Sequence, residues 1–169
     1  QYFRWLDHEL RMRYLNFKYN GLILISTYLY NYYKKEGYPE EKLYILPNLT
    51  DEPSINNTKV LDNKKVRIAF SGKPTYTNGA NNLIEIFKIV KNKYSDCELL
   101  IMGDHMGNKQ TLVRLKEKAK ELGIKDSVIF TGMISHDKVL TFLSDSDILV
   151  LPRPAGKFAE AGFPTKLGE

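Results

Sequence analysis

Cysteine is almost missing: Cys97 is the only one, so no disulfide can form within the chain. It lies in an apolar, strand-like run, where a lone thiol acts as a small buried hydrophobe rather than a nucleophile. That usage fits a reducing compartment. No apolar run approaches the roughly 20 residues of a membrane-spanning helix, and no secretory signal opens the chain. Histidine is scarce, and neither His8 nor His136 has a Cys or His partner at ligand spacing, so no metal site is assigned. No Gly-x-Gly-x-x-Gly follows a strand, no Walker Gly-Lys-Ser/Thr is present, and no Gly-x-Ser-x-Gly elbow occurs. These absences argue against the classical dinucleotide fingerprint, the P-loop and the nucleophile elbow of α/β-hydrolases.

An excess of one charge sign is also lacking. Twenty-five basic residues face 20 acidic ones, giving +5, and the signs are mixed along the chain. Such a balance fits a solvated surface, and it fits an attraction for anions such as a nucleotide or a phospholipid surface. The basic residues form no stripe with aromatics, which argues against nucleic acid. The chain opens on Gln1 and stops at Glu169, just after a Pro-Thr-Lys suited to opening a helix. It reads as a fragment or an excised domain.

The periodicity that is present is informative. Phe3, Leu6, Leu10, Tyr14 and Phe17 have helical spacing, predicting a helix over Tyr2–Lys18. Leu22–Ile25 reads as a strand, Ser26-Thr27 as a cap, and Tyr28–Glu36 as a helix stopped by Gly37-Tyr38-Pro39. Leu43–Leu46 is a second strand, and Pro47–Asp51 a turn. The polar stretch 52–64 is the linker candidate. Beyond it strands and helices alternate: strands Val66–Phe70, Glu98–Met102, Val128–Phe130 and Ile148–Leu151, helices Asn81–Lys93, Gln110–Leu122 and Asp137–Leu143, and a last helix opening near Thr165. Units of about 30 residues of this kind pair their strands in parallel. Continuously apolar strands suit a sheet covered on both faces. The fold class is therefore α/β, a doubly wound parallel sheet, with ligands expected beyond the carboxyl ends of the strands.

Four places lie at that edge: Gly72-Lys73, Gly103-Asp104, Thr131-Gly132-Met133, and Pro152 to Lys166. Gly72 directly after a strand admits close approach of a ligand, and Lys73 beside it is either a phosphate contact or an exposed turn lysine. Thr165 can cap a helix whose first amides, with Lys166 and the preceding Gly162, form an anion site. The alternative is a helix that merely starts after Pro164. Glu160 and Glu169 bracket this run and could accept hydrogen bonds from a sugar diol, or be surface glutamates. Asp104 and His105 are read as closing a turn.

Taken in order, these pieces resemble glycosyltransferase family 4, from about Asn20 to Glu169. Gly21–Ser26, Tyr32, Gly37-Tyr38-Pro39, Lys42 and Leu46–Asp51 are similar to that family's passage between domains, with Leu49 where Gly is common. Ile68–Lys73 resembles the first strand of its donor domain, Val128–Ile134 the strand and loop beside the nucleobase, and Asp147–Pro152 the last strand before the donor loop. Gly162–Glu169 resembles the second half of the family's paired-glutamate motif. Eight residues separate Glu160 from Glu169, one more than the motif has, and alignment on Phe163 sets Ala161 at the first glutamate position.

The resemblance implies a retaining hexosyltransferase of GT-B architecture, with a Rossmann-like donor half. The donor is a nucleoside diphosphate sugar and the acceptor a carbohydrate or lipid-linked hydroxyl, in polysaccharide or glycolipid synthesis. It implies catalytic roles for Glu160, Lys73 and Lys166. Donor binding falls to Gly72, Lys73, Met133, Gly162, Phe163, Pro164, Thr165, Lys166 and Glu169, the last on the ribose. The family's second basic position is occupied by Asn78, which leaves Lys166 to supply that phosphate contact. No cofactor and no metal are implied. The implied location is cytoplasmic, with peripheral contact at the inner membrane face. The implied division is 1–51 for the end of an acceptor domain and the passage, 52–64 for a linker, and 65–169 for the donor domain. The fragment by itself is expected to be inactive. The alternatives are a sugar-nucleotide epimerase or hydrolase of the same architecture, or an inactive nucleotide-binding module.

Overall fold

The computed structural model describes residues 2–47, 65–105 and 110–162. The chain divides into two compact units, Gln1–Asp51 with Ala155–Gly168, and Glu52–Pro154 with Glu169. Sequence grouped 155–168 with the donor half instead. The 52–64 linker, nearly all of the Pro47–Asp51 turn and the helix expected near Thr165 lie outside the described residues. The elements before the linker are α1 (Tyr2–Leu10), β1 (Leu22–Leu24), α2 (Thr27–Lys35) and β2 (Leu43–Ile45). Those after it are β3 (Val66–Ser71), α3 (Ala80–Lys93), β4 (Cys97–Met102), α4 (Gln110–Glu121), β5 (Val128–Gly132), α5 (His136–Ser144), β6 (Ile148–Leu149) and α6 (Lys157–Ala161). No helix among the described residues is long and apolar enough to cross a membrane.

In the first unit, the helix expected over Tyr2–Lys18 changes its winding twice. After α1 it widens into a π turn over Arg11–Leu15 and tightens into a 3-10 turn over Asn16–Lys18. The carbonyl of Met12, inside the π turn, accepts the Tyr38 hydroxyl at 3.1 Å. The Tyr38 ring stacks on Phe17 with centroids 4.2 Å apart and meets Tyr33 edge-on at 5.2 Å. Strands β1 and β2 are parallel, with Leu22 opposite Leu43. Ser26 caps α2, its Oγ accepting from the Leu29 amide at 3.3 Å. The same hydroxyl donates to the carbonyl of Ala161 at 3.1 Å, tying the end of α6 to the start of α2. The sequence reads that C-terminal stretch as loop; α6 is the element it misses.

The second unit is a parallel sheet in the order β5-β4-β3-β6. Its strand side chains divide between two cores. Ile68, Phe70, Leu99 and Ile101 join Leu83, Ile84 and Phe87 of α3 and Leu115 of α4. Their neighbours Ala69, Leu100 and Met102 pack with Val139, Phe142 and Leu143 of α5. Since successive strand residues point to opposite faces, a sheet covered on both sides needs apolar residues at every position. This is why these strands read as unbroken apolar runs, and it makes the sheet doubly wound, as expected. Cys97 is buried, and its thiol donates to the Tyr94 carbonyl at 3.1 Å.

Strand β6 is shorter than the expected Ile148–Leu151, and both of its side chains are about half exposed. Polar groups reinforce its seat on β3. The Asp147 amide donates to the Arg67 carbonyl at 2.9 Å, and the Asp147 carboxylate accepts the Arg67 amide at 2.8 Å. Arg67 in turn pairs with Glu98, directly opposite on β4, at 2.6 Å.

Candidate functional site

Parallel strands deliver their following loops to one edge of a sheet, so the second unit collects four of them. Backbone contacts knit these loops together. The Gly72 amide continues the β3–β4 ladder, donating to the Met102 carbonyl at 3.0 Å. The Gly103 amide donates to the Gly132 carbonyl at 3.0 Å. Two glycines are there because no side chain fits. A Cβ on Gly103 would lie 2.3 Å from the Gly72 carbonyl oxygen, and one on Gly79 would lie 1.7 Å from that of Pro152. Both also have positive φ, +118° and +77°, where side chains are strained. The loops after β5, β4 and β3 are thus joined in series through Gly132, Gly103 and Gly72. The exit of β6 is held against the start of α3.

Lys73 stands in this edge as an exposed side chain on a fixed turn. Its carbonyl accepts the Thr75 amide at 2.8 Å and the Asn78 side-chain amide at 2.9 Å. The adjacent Pro74 is fully buried. Lys73 makes no ion pair among the described residues, which leaves its ammonium available to an anion. Met133, after β5, is 62% exposed; a flexible apolar side chain there can cover the face of a flat ring.

Asp104 and His105 directly follow β4, and their polar contacts are local. The His105 amide donates to the Asp104 carboxylate at 2.6 Å, and His105 Nδ1 shares a hydrogen with Thr111 Oγ1 of α4 at 3.2 Å. Among the described residues no three His, Cys, Asp or Glu side chains group as a metal site.

Of the residues named from sequence, Gly72, Lys73 and Met133 belong to the second unit, on the loops after β3 and β5. Glu160, exposed on α6, and Gly162, just after that helix, belong to the first. Phe163, Pro164, Thr165, Lys166 and Glu169 lie outside the described residues. Sequence missed the part played by Asn78, read there only as a basic residue lost. The Asn78-Gly79 dipeptide is nonetheless a turn signal, and that signal pointed to the closure now seen.

The chain matches the family model for glycosyl transferases group 1 over residues 51–169. No curated protein matches it. Among solved structures, HepE from Anabaena in complex with UDP-glucose is 16% identical with a TM-score of 0.65, over 92% of this chain and 44% of that one. TarM from S. aureus, solved with fondaparinux, α-GlcNAc-glycerol and UDP, is 14% identical with a TM-score of 0.64, over 85% and 27%. The lipopolysaccharide outer core galactosyltransferase WaaB in its apo form is 15% identical with a TM-score of 0.62, over 79% and 37%. The chain therefore spans less than half the length of each. Such likenesses carry the fold, which is that of the Rossmann-like domains of GT-B glycosyltransferases. With the family model covering more than half of its residues, the chain belongs to the glycosyl transferases group 1 family.

Proposed function

We propose that this chain is the nucleotide-sugar-binding part of a retaining glycosyltransferase of family 4. It moves a hexosyl group from a nucleoside diphosphate sugar to a hydroxyl of a carbohydrate or lipid-linked acceptor. The observation that carries this reading is the family match over residues 51–169, which takes in every loop of the carboxyl edge. The leaving group is a diphosphate, so its departure calls for fixed positive charge in a site poor in water. Lys73 on its pinned turn supports that role. In this proposal Lys166 and the amides of the Pro164–Lys166 segment supply the rest, with no metal and no cofactor. Glu169 holds the ribose, Gly72 and Gly162 admit the donor to the backbone, Met133 lies beside the base, and Glu160 meets the donor sugar. Phe163 and Thr165 shape the loop between them. Polysaccharide or glycolipid assembly at the cytoplasmic membrane face is the corresponding setting, with peripheral membrane contact. The acceptor site belongs to the other domain of this architecture, of which residues 1–51 are the end, and the chain by itself binds donor and transfers nothing.

The test is calorimetric titration of the 169-residue chain with UDP and with GDP. One of them is expected to bind. Lys166→Ala should weaken binding by about tenfold, the size of a lost charge-assisted hydrogen bond, and Lys73→Ala by less. Failure of both nucleotides to bind overturns the reading. Turnover of UDP-glucose by an active enzyme containing this chain should need an acceptor. Release of UDP without one would point to the hydrolase or epimerase alternative.

A further inference from the structure

We infer that Asn78 is a positioning residue for Lys73, holding the turn that presents the lysine to a diphosphate. This rests on the nucleotide-binding reading above. Asn78 ends a 3-10 turn, Tyr76–Asn78, whose backbone is fixed on both sides. The Asn78 amide donates to Thr75 O at 3.2 Å, and the Gly79 amide donates to Tyr76 O at 2.9 Å. From that fixed place the Asn78 side chain reaches back to the Lys73 carbonyl at 2.9 Å. Gly79 follows at once, its backbone against Pro152. One dipeptide thus registers the lysine turn against both the start of α3 and the exit of β6.

A lysine side chain is long and loses rotamer freedom when it is ordered. It meets a phosphate well only if its Cα is held where the ammonium falls in range. The short amide of Asn78 turns back on the loop that carries Lys73. A basic residue here would carry its donors farther out and leave that carbonyl with the Thr75 amide alone. The position where the family's resemblance implies a second cation is used instead to aim the first.

A double-mutant cycle separates this role from a merely structural one. UDP and GDP affinities are measured for the parent chain, Asn78→Ala, Lys73→Ala and the double variant, with thermal midpoints alongside. For the nucleotide that binds, Asn78→Ala should weaken affinity about fivefold, the range of one net hydrogen bond. In the Lys73→Ala background the same change should cost less than about twofold. An equal factor in both backgrounds, or no factor in either, overturns the positioning role while leaving the nucleotide reading intact. No binding by the parent overturns both. Should Asn78→Ala fold poorly, Asn78→Ser serves in the same cycle, since its hydroxyl is too short to reach the Lys73 carbonyl.

Discussion

The two units use one pattern, parallel strands joined through a helix, and stabilise it differently. In the second unit the buried side chains are aliphatic and phenylalanine groups on both faces of a sheet, with Leu99, Ile101, Ile84 and Phe87 at 1% exposure or less. In the first the buried set is Met12, Leu24, Tyr38 and Leu43, while Ile23 and Tyr44 on β1 and β2 stay more than half exposed. A two-stranded sheet offers little area to bury, so polar handles take a larger share: the Tyr38 hydroxyl on Met12, and the Ser26 hydroxyl on both Leu29 and Ala161. One unit is held by area, the other by a few placed hydroxyls around stacked rings.

The sharpest way to break this contrast is to remove one large side chain from the area-rich unit. Phe87→Ala empties a site only 1% exposed and should cost about 4 kcal/mol, as buried Phe truncations do. Denaturant unfolding followed by circular dichroism gives the number. A cost near 1 kcal/mol would mean that α3 closes the gap easily and that area is not what holds the sheet.

The matching change in the first unit is subtler. Tyr38→Phe keeps the ring stack and removes the hydroxyl, leaving the Met12 carbonyl without that donor. About 1 to 2 kcal/mol should be lost. Burial raises the Tyr38 phenol above its ordinary value of 10.0, and burial likewise raises Tyr32. A group raised on folding stabilises fully below its unfolded pKa and loses that contribution as pH rises through its folded one. The parent should therefore lose stability above about pH 10, and Tyr38→Phe should lose less of it there, with Tyr32 and the Glu40-bound Tyr30 and Lys34, all likewise raised, contributing the remainder. Identical alkaline profiles would remove Tyr38 from that role.

What was legible in the sequence follows the same divide. The second unit read well because its sheet is covered on both faces, so each strand is an uninterrupted apolar run, and because Gly72, Gly103 and Gly132 mark the strand ends. The helix before β1 read as one piece because apolar spacing does not register the π turn at Arg11–Leu15. That turn is stabilised by a tyrosine 26 residues away from Met12, which no local window contains. Helix α6 was missed for the same reason: its five residues are too few for a period, and its end is fixed by Ser26 from the far side of the chain. At the site, Gly72 and Lys73 were legible as residue types in a strand-end loop. Asn78 was not, because charge was the signal sought there and its contribution is a hydrogen bond to a carbonyl.

The smallest expected effect concerns Ser26, where one hydroxyl serves two helices. Ser26→Ala removes the acceptor for the Leu29 amide and the donor to the Ala161 carbonyl, and should cost about 1 kcal/mol, the usual size for a lost N-cap. Ser26→Asp separates the two parts. A carboxylate still accepts the Leu29 amide and suits the positive end of α2, but it has no proton for the Ala161 carbonyl. If α6 is held to this unit through that bond, Ser26→Asp recovers the thermal midpoint while amide exchange across Lys157–Ala161 stays as fast as in Ser26→Ala. If exchange there returns to the parent rate, the helix is seated by its packing alone, and the first unit depends less on placed hydroxyls than its small core suggests.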